Sequence, residues 1–186
     1  MKKMLGVWVA VMVLAACGRE PMGNEAPPMK PEARAPDTDG AEPGPAGATW
    51  MELRLLGENG EAYDAALMTV SDVEVTGPDG QPLPVSLQEG TVDLARAEEP
   101  WKVARFAVPA GTERVSVRLR FDDFGGFEAK AGTGVIETAG VPIQFEMPVS
   151  DLRGHDGAVI FLDLERALRP SEEGSLLLVP QYRVRF

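Results

Sequence analysis

The chain has 186 residues, 18 of them basic and 29 acidic, giving a formal net charge of −11, with one histidine and one cysteine. A lone cysteine excludes an internal disulfide, a Cys-ligated zinc site and a redox pair, and a lone histidine excludes the two- or three-His sites of catalytic zinc. The acidic balance argues against nucleic acid and anionic lipid headgroups as partners and reads most simply as solubility.

Met1-Lys2-Lys3-Met4 supplies a positive n-region, and Leu5 to Leu14 is an apolar run of signal-peptide length. It is too short to cross a bilayer, which takes about 20 apolar residues. The run ends in Leu14-Ala15-Ala16-Cys17, which resembles the lipobox of bacterial lipoproteins: small residues precede the cleaved bond and a thiol receives the diacylglycerol. Residues 1–16 are therefore read as a lipoprotein signal peptide, and Cys17 as the lipidation site, carrying palmitate among its acyl chains. The alternative is a buried N-terminal helix, but a core helix is amphipathic and capped, and this run is apolar all round. Each buried CH₂ contributes about 0.8 kcal/mol, so a multiply acylated Cys17 is a stable membrane anchor. Gly18 stands where an Asp would resemble an inner-membrane retention signal, so the expected location is the outer membrane of the cell envelope, facing the periplasm or the surface.

Gly18 to Ala48 holds seven prolines, five glycines and six alanines. Such a segment buries too little apolar surface to offset the entropy of ordering it. Residues 17–48 are read as the lipidated Cys and a disordered tether, reaching roughly 30 Å as a coil. A second reading of Pro27-Pro28-Met29-Lys30-Pro31 is a polyproline recognition peptide.

Residues 49–186 are of single-domain length and carry 23 acidic and 13 basic residues. Their hydrophobic pattern has period two almost throughout. The segments 50–56, 72–76, 83–87 and 91–94 read as strands, and Gly77-Pro78-Asp79-Gly80 as the turn of a hairpin. Strands follow at 103–108 and 114–121. The latter puts Val115, Val117, Leu119 and Phe121 on one face and Arg114, Ser116, Arg118 and Arg120 on the other, the mark of a sheet with one wet side. Further strands are expected at 134–138, 141–147, 158–164 and 176–186. Ala158-Val159-Ile160-Phe161-Leu162 is apolar on both faces and is assigned to the domain centre. A brief helix is expected at 163–169, stopped by Pro170. Eight or nine short strands with Gly and Pro turns predict an all-β fold, an antiparallel β-sandwich in preference to a barrel.

Met68-Thr69-Val70-Ser71-Asp72-Val73-Glu74-Val75, then Val92-Asp93-Leu94, then Val108-Pro109-Ala110-Gly111 leading into Val117-Arg118-Leu119, resemble a family of bacterial lipoprotein domains of unknown function. Ala158 to Arg169 and the closing Leu176 to Val184 are similar to that family's Asp-containing strand, short turn and Pro-bearing last strand. The chain departs from the family at Leu56-Gly57-Glu58-Asn59-Gly60, where an Asp-Ala-Pro-like turn is expected. The resemblance implies a transthyretin-like or carbohydrate-binding-like sandwich on a lipid anchor, and it supplies no catalytic residues.

Chemistry-bearing residues are sparse. His155, in Asp151-Leu152-Arg153-Gly154-His155-Asp156-Gly157, has acidic neighbours but no serine in a nucleophile-elbow context and reads as a polar loop residue. Asp122-Asp123 with Glu128, and Asp151 with Asp156, lack the spacing of a calcium loop, so neither a metal site nor a cofactor is expected. Asp163 is expected to accept from turn amides. Arg114, Arg118 and Arg120 are expected to pair with acids on neighbouring strands. Phe124-Gly125-Gly126-Phe127 places two aromatics on what reads as a flexible turn, where folding alone does not call for them. Phe124, Phe127 and Trp101 are therefore the candidate contacts for a ligand or partner, with burial as core plugs the alternative. The resulting expectation is a non-enzymatic protein-interaction or assembly module, with a glycan-binding module second and a hydrolase last.

Overall fold

A computed structural model describes residues 47–96, 98–171 and 174–186. The signal peptide, Cys17 and nearly all of the tether assigned above lie outside the described residues. In chain order the first strands are β1 (Thr49–Glu58), β2 (Tyr63–Thr76), β3 (Val85–Leu87), β4 (Thr91–Asp93), β5 (Trp101–Val108) and β6 (Arg114–Phe121). Then come β7 (Phe124–Ala129), β8 (Gly132–Thr138), β9 (Ile143–Pro148), helix α1 (Val149–His155) and β10 (Gly157–Asp163). Helix α2 (Leu164–Ala167), β11 (Leu168–Pro170), β12 (Leu176–Leu178) and β13 (Tyr182–Arg185) complete the series.

These elements make a β-sandwich. One sheet has the order β13-β10-β1-β5-β3, the other β11-β12-β8-β7-β2-β6-β9, with β4 also on β2. Period-two alternation assigns the faces: Met51, Leu53 and Leu55 of β1 and Ile160 and Leu162 of β10 point inward. They meet Met68, Val70, Val73 and Val75 of β2, Val115, Val117 and Leu119 of β6, and Ile143 and Met147 of β9 in one core. Each fully buried aliphatic or aromatic side chain of this kind stabilises the fold by about 1.5–3 kcal/mol.

The pairing is not wholly antiparallel: β1 runs parallel to β10, and β8 parallel to β12. Alternation fixes which face a side chain takes, but it carries no information on strand direction, and the long chain between β1 and β10 supplies the crossover that parallel neighbours need. The sheets are therefore mixed.

Three further departures have local causes. The strand expected at 176–186 is two strands, because Val179-Pro180-Gln181 interrupts it: β12 lies in the larger sheet and β13 in the smaller. The loop read around His155 is helix α1, whose Val149 and Leu152 are buried; two apolar residues are too weak a helical period to see. His155 ends that helix and is exposed. The turn read at Phe124-Gly125-Gly126-Phe127 is strand β7. Phe121 pairs with Val70 and Gly126 with Leu67, so β6 and β7 follow one another along β2 with extra residues bulged out at Asp122-Asp123. The Asp122 N–H still donates to the Thr69 carbonyl (2.9 Å).

Side chains lock these joints. The buried Asp93 carboxylate accepts from the backbone N–H groups of Ala66 (3.0 Å) and Ala95 (3.1 Å). At Gly57 a Cβ would overlap the Leu94 carbonyl, so β4 closes over β1 only because residue 57 has no side chain. Asp163 caps α2 by accepting from the Arg166 N–H (3.4 Å), the turn-amide role expected of it. The Tyr182 hydroxyl donates to the Gln144 carbonyl and accepts the Gln144 N–H (3.1 Å), which covers part of the open edge of β9.

Candidate functional site

The three aromatics singled out in the sequence do not come together. Trp101 opens β5 in the five-stranded sheet, packs against the core and donates its indole N–H to the Asp93 carbonyl (2.9 Å). Phe127 turns inward from β7. Its ring meets Tyr63 edge to face (6.1 Å, 81°) and lies over Gly134, where a Cβ would come within 2.6 Å of it. Both side chains are engaged by the fold. Phe124, three residues earlier on the strand, points the other way and is 66% exposed.

What surrounds Phe124 is set by register. On the outer face of the larger sheet, Leu67, Gly126 and Val135 form one row across β2, β7 and β8. Phe124, Glu137 and Leu177 form the next row, across β7, β8 and β12. Leu67 (44%) and Val135 (46%) are exposed large apolar residues, with Gly126 between them in the row. Polar groups ring it: Glu128, Glu137 with its bond from the Ser175 hydroxyl (2.7 Å), Arg169, and the Thr69–Thr91 hydroxyl pair (3.0 Å). Gly125 explains why the face is presented at all. Met68 rises beneath it, so that a Cβ there would meet the Met68 sulfur and the Leu67 carbonyl.

The other half of the same face is polar. Arg114 pairs with Glu146 (3.2 Å) and Arg118 with Glu74 (3.6 Å), the neighbouring-strand pairing expected of them, whereas Arg120 lies opposite Asp72 in register and makes no ion pair among the described residues. Leu67 and Val135 carry no signal in the sequence, because only the register of β2, β7 and β8 makes them neighbours. Phe124 alone carries one.

A cleft of about 670 Å³ opens at the carboxyl ends of the parallel strands β1 and β10 and is lined by Glu58, Asn59, Phe161, Asp163, Arg166 and Arg183, among others. Its charges satisfy one another: Arg183 donates to Glu58 (2.7 Å), and Arg166 lies 3.6 Å from Asp163. Among the described residues, no three metal-ligating side chains gather and no helix is long and apolar enough to cross a membrane. A scan against protein-family models, a search of curated proteins and a search of solved structures found nothing that matches this chain.

Proposed function

We propose that the protein is a lipoprotein of the bacterial envelope, acylated at Cys17 and held on the outer membrane, whose sandwich is a non-catalytic module that docks an envelope protein. The observation that carries the docking surface is the cluster of Leu67, Phe124 and Val135 around Gly126. Single exposed apolar residues are ordinary on protein surfaces. Three on adjacent strands, ringed by carboxylates, hydroxyls and a guanidinium, have the apolar centre and polar rim of an interface. The anchor rests on the n-region, apolar run and lipobox at residues 1–17.

Glycan binding has less support, because a sugar-stacking groove needs several aromatic faces and Phe124 is the only one of the three candidates that faces outward. A hydrolase has least, since the charged groups of the large cleft are already paired. Affinity capture from detergent-solubilised envelopes, with the lipidated protein as bait, tests the reading. A discrete protein is expected to be retained and to be lost with a Leu67→Ser, Phe124→Ser variant. Retention of the same proteins by both baits, or of none, would overturn it.

A further inference from the structure

The outer face of the five-stranded sheet has the opposite character to that of its partner. Register puts Lys102, Arg54, Val159 and Arg185 in one row across β5, β1, β10 and β13. Arg105 lies one row to one side and Arg183 one row to the other. Five of the domain's 13 cations thus share a single sheet face with Glu52, Glu58 and Asp163. Strands lie about 4.8 Å apart, so the cationic row extends over roughly 14 Å.

Two of these guanidinium groups have no carboxylate partner among the described residues: Arg105 lies over the Trp50 ring (5.4 Å) and Arg185 over the Phe161 ring (5.2 Å). An arginine held on an aromatic face keeps its charge and its outward donors. Trp50 stands at the start of β1, where the tether joins the domain, and Trp is a residue favoured at membrane interfaces.

From this segregation of charge we infer that the outer face of the five-stranded sheet docks on a membrane surface of anionic phospholipid headgroups. The chain-wide charge of −11 does not forbid it. At physiological ionic strength the Debye length is about 8 Å, so acids on the far sheet are largely screened from a surface touching this one. The inference rests on the proposed anchoring only for bringing the domain near a membrane. Docked so, the domain would leave its other outer face, with Phe124, turned away from the lipid.

The test uses the mature chain with Cys17→Ser, so that no acyl chain contributes, and vesicles of phosphatidylcholine alone or mixed with phosphatidylglycerol, at physiological ionic strength, where the acids of the far sheet are screened. Co-sedimentation with the mixed vesicles alone is expected. It should fall about tenfold or more in an Arg54→Gln, Lys102→Gln, Arg185→Gln variant, and severalfold in Arg185→Gln, which breaks no ion pair. The matched variant Arg114→Gln, Arg118→Gln, Arg120→Gln should bind as the parent does. Equal binding to both vesicle types, or equal losses in the two triple variants, would overturn the inference. So would retention on immobilised heparin without vesicle binding, which would assign the face to a soluble polyanion. Failure here leaves the anchor and the apolar face untouched, since neither Cys17 nor Phe124 enters the comparison.

Discussion

Glu52 sits on β1 between two cations, Lys102 (2.7 Å) and Arg54, in a position where its side chain is largely covered. Burial pulls its carboxyl upward, but hydrogen bonds from Lys102 and Arg54 and the charges of both outweigh this and hold it below its ordinary value of 4.5. A carboxyl lowered in the folded state stabilises the fold above its unfolded value, and that contribution is lost as pH falls through the lowered one. Glu52→Gln is therefore expected to cost about 0.5–1 kcal/mol at neutral pH, since its partners are partly exposed. The gap from the parent should close on acidification below 4.5. Urea melts at the two pH values check this, and a gap independent of pH would count against the ion-pair assignment. Phe124 and Phe127 part company for an equally local reason. They look equivalent in sequence, and strand alternation alone makes one a surface group and the other a core group.

Strands whose alternation is unbroken are legible in the sequence itself: β6 and β9 fall where period two puts them, while β10 is legible as a short run apolar on both faces. The first half of β2 is not, because Ala65-Ala66-Leu67-Met68 is apolar on both faces and hides the period. β7 is hidden because Gly125-Gly126 mimics a turn, whereas Gly125 is required by the Met68 side chain and the Leu67 carbonyl beneath it. Edges are likewise a matter of tertiary geometry. Tyr182 reaches from β13 in one sheet to Gln144 on β9 in the other, and nothing in the local sequence announces that link. Tyr182→Phe removes both bonds, and a loss of about 1 kcal/mol is expected. Hydrogen exchange at the Gln144 amide should quicken in the variant; unchanged exchange would mean that the hydroxyl does not protect this edge.

At the largest scale, the molecule places two unlike surfaces on opposite sides of one core, an apolar half-face on the larger sheet and a cationic face on the smaller. Composition reports neither, because a net charge of −11 and an ordinary apolar fraction average over both. The proposed anchor is legible in the sequence because signal and lipobox are contiguous, whereas the docking surface is assembled from β2, β7 and β8. The proposed docking surface around Phe124 is probed by a photo-crosslinking residue placed at position 124 in the intact envelope, with one at position 118, on the polar half of the same sheet face, as reference. A discrete crosslinked protein is expected from position 124 and not from position 118. No adduct from 124, or the same adducts from both positions, would contradict the proposed surface.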